Sequence, residues 1–285
     1  MIAFASNSLL CRAALKQTSI DAASFTFIRI ASGASALWLI IKMREHTSSV
    51  AAVYLSRRSP AKADDRRIHG NWPSALALFA YAAAFSFAYN SLSAGTGALL
   101  LFGAVQATMI LWGFRKGEAL HTGQLIGLVV AVSGLVVLLF PGLSAPPFTA
   151  SILMLGAGVA WGIYSLRGKL QNPVSATAGN FLRAVPFAAM VSIILLPWAR
   201  LDRAGIGYAV LSGAIASGVG YVIWYTALAG LKATSAATVQ LSVPVLAATG
   251  GILLLGEPLT LRFLLASIAV LGGIALVVFE KNYAT

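Results

Sequence analysis

The chain has 285 residues, 59% of them hydrophobic and 10% charged, with a net charge of +12 and a mean hydropathy of +0.85. Soluble domains carry roughly 25% charged residues, so a water-exposed fold of this length is excluded and a membrane protein is expected. Cys11 is the one cysteine, which excludes an intrachain disulfide and reads as small apolar filler.

A spanning helix needs ~20 mostly apolar residues. In chain order the candidates are 1–17, 22–43, 73–92, 95–114, 121–140, 149–168, 174–198, 205–229, 233–255 and 260–280. The first is short and contains Arg12; no basic n-region or Ala-x-Ala site marks a signal peptide. The longest connection, 44–72, reads as a basic loop with Arg57, Arg58, Lys62, Arg66 and Arg67. Pro186 is expected to interrupt the seventh span and Pro244 the ninth, freeing backbone groups. Gly95, Gly97 and Gly103 in the fourth span, and Gly250 and Gly251 in the ninth, allow close helix approach.

The positive charge suggests nucleic acid until it is located. Seven of the 20 Lys/Arg lie between Lys42 and Arg67, and most others sit in short loops. No basic face is interleaved with stacking aromatics, so nucleic-acid binding is rejected. With the N-terminus inside, thirteen Lys/Arg fall in inside loops and four in outside loops, which predicts both termini in the cytoplasm.

A Gly-Glu pair occurs twice, at Gly117-Glu118 and Gly256-Glu257. The same offset of 139 maps Leu125 onto Leu264, Gly134 onto Gly273 and Phe140 onto Phe279. Phe27-Ile28-Arg29 likewise resembles Phe181-Leu182-Arg183, and Arg12 matches Arg167. Internal repeats of this kind mark transporters built from duplicated halves. Five spans per half make the second half enter the membrane upside down. The expected fold is an all-α membrane protein, with ten transmembrane helices as two inverted five-helix repeats, 1–140 and 149–280, around a central cavity.

All eight acids fall at helix ends or in loops, so a pump driven by a mid-span carboxylate is not expected. His46, His69 and His121 are scattered and no metal site is read. No phosphate-cradling Gly-x-x-x-x-Gly-Lys motif is present; no cofactor and no catalytic residues are assigned. An intramembrane enzyme would need convergent acid, base or nucleophile groups, and the serines of the spans have no His-Asp partners. Glu118 and Glu257 are read as caps of the helices that follow them. Arg29 and Arg183 lie within spans. Each is either a carboxylate anchor or gate, or a side chain that snorkels or caps carbonyls.

Aromatic and amide side chains inside the spans point to a solute site. Tyr81, Phe85, Tyr89 and Asn90 lie in the third span, with 81, 85 and 89 on one helical face. Trp161 and Tyr164 lie in the sixth, and Tyr221, Trp224 and Tyr225 in the eighth. Gln106 and Gln240 sit mid-span in the fourth and ninth, and Asn7 and Asn180 in the first and seventh. A mid-membrane amide facing lipid leaves its hydrogen-bonding groups unmet, so these are expected to face the interior. Any one of the aromatics alone reads as packing or an interfacial belt. Together they describe an apolar pocket with a few polar fixers. The predicted substrate-binding set is Asn7, Tyr81, Phe85, Tyr89, Asn90, Gln106, Trp161, Tyr164, Tyr221, Trp224, Tyr225, Gln240 and Arg183.

Gly117-Glu118, Gly256-Glu257-Pro258, Trp161-Gly162 with Arg167, Trp224-Tyr225-Thr226-Ala227-Leu228, and Lys232-Ala233-Thr234-Ser235-Ala236-Ala237 with Pro244 form one pattern. It resembles the drug/metabolite transporter superfamily, in the branch built from two EamA-type repeats, and within it the YddG-type exporters of aromatic and other amino acids. The resemblance implies a ten-helix basket whose cavity is formed by spans 1, 3, 4, 6, 8 and 9, and efflux from the cytoplasm by alternating access. One departure stands out: Ser6-Asn7 replaces the Trp-Gly of the sixth span.

The reading is a bacterial inner-membrane carrier exporting amino acids, aromatic or hydrophobic ones above all, or similar small metabolites. Its partners are the small-molecule substrate and membrane lipid, and the duplicated fold requires no oligomer. The alternative is a carrier of another solute. A cationic drug or polyamine would want a cavity carboxylate, and a nucleotide sugar would want several cavity cations.

Overall fold

The computed structural model describes residues 1–54, 69–117, 122–142, 145–168, 173–228 and 239–283. Every regular element among them is helical. The first half contains α1 (Ile2–Gln17), α2 (Ala22–Tyr54), α3 (Trp72–Tyr89), α4 (Ala94–Arg115) and α5 (Thr122–Leu139). The second contains α6 (Phe148–Arg167), α7 (Pro173–Ile194), α8 (Arg203–Val210), α9 (Gly220–Leu228), α10 (Ser242–Leu255) and α11 (Leu261–Tyr283). A π-helical stretch, Leu211–Val219, joins α8 to α9 without a break. By length and composition seven segments can cross a bilayer: α2 to α7, and the continuous run Arg203–Ala227. Ser242–Leu255 and Leu261–Val277 are shorter apolar helices.

Local chemistry sets several of these boundaries. The Asn71 side chain accepts from the Ser74 N–H at 2.9 Å, with Pro73 in the first turn of α3. Ser93 caps α4 through the Thr96 N–H, and Asp202 caps α8 through the Gly205 N–H at 3.0 Å. Such caps satisfy the amides that a helix start leaves unpaired. α10 ends where Gly256 turns left-handed (φ +63°), letting the Glu257 N–H reach back to the Gly251 carbonyl.

Three expectations change and a fourth holds. The second helix does not stop at 43 but continues to Tyr54. The eighth span is not a plain α-helix, because its centre is π-helical. Pro186 does not interrupt its helix: α7 runs through it from Pro173 to Ile194. The ninth span is interrupted as expected: residues 239 and 240 are helical, Leu241 is a turn, and α10 begins afresh at Ser242 with Pro244 in its first turn, where a missing N–H costs little. Glu118, the segment 55–68 and the run Lys232–Ala237 lie outside the described residues.

The largest helix contacts join the two halves: α5 lies along α11, α2 along α7, and α6 against both α3 and α4. The halves are therefore interleaved rather than separate lobes. Lipid tails supply no hydrophobic drive between helices, so close approach depends on small residues. At the α5–α11 seam Gly127 and Gly273 face each other, and a Cβ on either would collide with the other's carbonyl. The outer face of α5 exposes Leu125, Val129, Val132 and Val136, an apolar surface suited to lipid.

Helix ends gather into two sets. In one, Arg12 near the end of α1 donates to the Tyr89 and Asn90 carbonyls at 2.9 and 3.1 Å and pairs with Glu257 at 3.1 Å. Glu257 also accepts from the Ala94 N–H at 2.8 Å. The carboxylate thus caps α4 rather than α11, the helix that follows it, which corrects the sequence reading. It is buried because that corner is shared by the ends of α1, α3 and α10 and the start of α4. In the other set, Arg167 at the end of α6 donates to Ser74 and Asn71 at the start of α3. Asn180 accepts there from the Asn71 N–H at 3.0 Å.

Candidate functional site: an aromatic chamber beside a buried arginine

α1, α3, α6 and α9 each turn aromatic rings toward one point. Trp161 is the hub, with ring centroids 4.9 Å from Tyr81, 4.8 Å from Tyr221, 5.5 Å from Tyr164 and 5.8 Å from Phe4. Phe4 meets Tyr221 and Trp224 edge-on at 5.7 and 5.8 Å. Phe85 stands 5.4 Å from Tyr81 and carries the cluster on to Tyr89. Tyr225 continues it from Tyr164 at 6.3 Å. Edge-to-face contacts of this kind are worth ~0.5–1.5 kcal/mol beyond burial. The space enclosed by Phe4, Tyr81, Phe85, Leu101, Phe102, Trp161 and Tyr221 is about 10 Å³, room for one water at most. The chamber is closed, and any solute must move rings apart to enter.

A polar seam runs along one wall. The Asn7 amide donates to the Tyr81 hydroxyl at 3.3 Å, and Ser212 donates to the Asn7 oxygen. Arg29 is 2% exposed. Its Nε donates to Ser217 Oγ at 3.3 Å and its Nη2 to the Tyr81 hydroxyl at 3.1 Å. The guanidinium lies 5.3 Å from the Tyr81 ring centre and 4.9 Å from that of Phe85, the geometry of cation–π contact. Ser212 and Ser217 both belong to the π-helical stretch, a feature frequent at functional sites. Gly213 lets that stretch come so close to α2 that any Cβ there would strike the Arg29 carbonyl.

The predicted residues divide. Asn7, Tyr81, Phe85, Trp161, Tyr221 and Trp224 meet in the chamber, while Tyr89, Tyr164 and Tyr225 extend it. Gln106 and Gln240 are buried, with Nε2 of the first and Oε1 of the second lacking a partner among the described residues, but neither joins the ring cluster. Asn90 is exposed at the end of α3 and lines a surface groove with Asp21 and Arg200. Arg183 is half-buried and donates from Nη1 to the carbonyl of Gly179, one turn back in its own helix. Neither of these two faces the rings. Sequence reasoning missed Phe4, Ser212 and Ser217 and ranked Arg29 below Arg183. Phe4 stands three residues before Asn7, on the same helical face, and the Ser-Gly-rich run 212–220 was the signal for close backbone approach.

Apolar helices with outward-facing aliphatic side chains, wrapped around an inward-facing set of rings and amides, define a multi-pass membrane protein of the carrier class. Residues 148–279, most of the second half, match the EamA-like transporter family, within the drug/metabolite transporter superfamily. It is 53% identical over 282 residues to an uncharacterized protein of Pseudomonas aeruginosa, covering 99% of this chain and 92% of that one. It is 33% identical over 157 residues to the threonine/homoserine exporter RhtA of Salmonella typhimurium, about half of each chain at 52%. It is 27% identical to a probable amino-acid metabolite efflux pump of Escherichia coli, across 70% of this chain and 74% of that one. One crystal structure superposes on 99% of this chain and 95% of its own with a TM-score of 0.62 at 14% identity, a likeness of fold.

Proposed function

We propose that this protein exports amino acids, aromatic or hydrophobic ones above all, or similar small metabolites across the bacterial inner membrane by alternating access. Two inverted five-helix repeats, 1–140 and 149–280, would form a ten-helix basket with both termini in the cytoplasm. One observation carries the reading: rings from both halves, with the Asn7 amide, converge on a single chamber. Asn7, Tyr81, Phe85, Trp161, Tyr221 and Trp224 contact the solute, with Tyr89, Tyr164 and Tyr225 shaping its ends. Gln106 and Gln240 meet it along the path, since each keeps an unpaired polar group off the lipid. The exporter names of two relatives support an amino-acid substrate. A buried cation against the chamber disfavours cationic drugs and polyamines.

The test is uptake into proteoliposomes across a panel of amino acids, with and without a pH gradient, for wild type and for Trp161→Ala and Tyr221→Ala. Transport by the wild type that falls at least tenfold in both folded variants supports the chamber. A wild-type protein that moves no amino acid removes the substrate reading, and unchanged transport in both variants moves the site elsewhere. Cysteines at 118 and 257 labelled from the same side of the membrane would remove the inverted topology.

A further inference from the structure

We propose that Arg29 is the carboxylate anchor of the chamber, so that this carrier selects solutes by a carboxylate group and not by an amine. The inference rests on the transporter reading above and names the chemistry its site accepts. A guanidinium offers five N–H donors and no acceptor. Arg29 spends two nitrogens on neutral hydroxyls, Ser217 and Tyr81, while Nη1 has no hydrogen-bond partner among the described residues. No acid pairs with it either: the ion pair among the described residues is Arg12–Glu257, at the helix ends.

An unpaired buried cation is costly, because no partner charge repays its desolvation, and a neutral side chain in its place removes that cost. The two ring faces at 4.9 and 5.3 Å offset only part of that cost. Structure alone therefore gives this arginine too few partners for its burial. A carboxylate supplies what is missing: a negative charge and two oxygens matched to the guanidinium fork. The Tyr81 hydroxyl, already held by Arg29 and Asn7, lies beside the same position as a further polar contact. An apolar side chain on the solute would then fall among Phe4, Phe85 and Trp161. No described carboxylate faces the chamber to receive an ammonium group, so the amine contributes little to recognition.

Thermal melting and transport in proteoliposomes test this with L-phenylalanine, L-phenylalaninamide, 3-phenylpropanoate and phenethylamine, with L-threonine and L-threoninamide as a second pair. The expected result is protection and competition by phenylalanine and 3-phenylpropanoate, with the amide and the amine at least tenfold weaker. Arg29→Gln should melt at or above the wild-type temperature yet lose about 10- to 100-fold in apparent affinity for the acids, leaving the amide unchanged. Arg29→Lys should recover part of the loss. A purely structural arginine predicts the reverse, a lower melting temperature with acid-over-amide preference intact, and that outcome overturns the proposal. So does a wild-type protein that treats acid and amide alike, a result that decides the matter even where Arg29→Gln does not fold. If neutral or cationic solutes are carried and carboxylates are not, the anchor falls and the transporter stands; if nothing is carried, both fall.

Discussion

Neutralising Glu257 should loosen the corner where four helix ends meet. The carboxylate binds Arg12 at 3.1 Å and the Ala94 N–H at 2.8 Å, and the two charged side chains are 12% and 6% exposed. At that separation and an effective dielectric near 20, the attraction is about 5 kcal/mol before desolvation. Desolvating both ions cancels much of it, and Arg12 keeps its two carbonyl acceptors when the acid is lost. Glu257→Gln also keeps an acceptor for Ala94. A cost of about 2 kcal/mol follows, the usual range for a hydrogen bond to a charged group. The assay is a double-mutant cycle of Glu257→Gln, Arg12→Gln and the pair, by denaturant unfolding in a mild detergent followed by tryptophan fluorescence. A coupling energy of about 1–2 kcal/mol is expected. Single-mutant costs that add to within about 0.5 kcal/mol would show that the two side chains act independently, and the reasoning would fail.

Other consequences are equally direct. Phe4→Ala removes the ring that braces Trp161, Tyr221 and Trp224 and should cost about 3–5 kcal/mol; a melting temperature near wild type would show that the cluster does not depend on it. Gly273→Val sets a side chain against the Gly127 carbonyl and should destabilise the α5–α11 seam by about 1–3 kcal/mol, read in the same unfolding assay. Arg183→Gln should leave transport within about twofold, because Arg183 Nη1 serves a carbonyl of its own helix; a loss as large as that of Arg29→Gln would return it to the site. Asp21 accepts from the Ala23, Ser24 and Arg200 N–H groups at 2.8–2.9 Å. Partial burial pushes its carboxyl up, but hydrogen bonds from the Ser24 and Arg200 backbones, together with the Ser24 side chain and the Ala23 backbone, outweigh that and hold it below the usual carboxylate value. The folded state therefore binds this proton more weakly than the unfolded one. Its stabilisation is complete above pH about 4 and is lost as pH falls through the lowered value. Asp21→Asn should narrow the melting difference between pH 7 and pH 3, and an unchanged difference would exclude Asp21 as a contributor.

Much of this molecule was legible in its residues alone. Long apolar runs and the turn at Gly256-Glu257 define the helices, because backbone amides without water must be satisfied within the helix; the caps at Asn71 and Ser93 were recognised only in the structure. Rings spaced at 81, 85 and 89 and at 221, 224 and 225 fall on shared faces by helical period. What periodicity cannot show is which faces meet. Phe4, in a short first helix, joins the chamber only because α1 sits against α3, α4, the π-helical stretch and α10. Arg29 and Arg183 occupy equivalent positions in the two matched triplets, yet one is buried among hydroxyls and rings while the other bonds to its own helix. Glu257 follows a turn in sequence but caps a helix 163 positions away. Helical period and chain-termination chemistry are local and readable in one dimension. Burial, pairing of charge and closure of a chamber depend on neighbours far apart in the chain, so only the packed tertiary structure decides them.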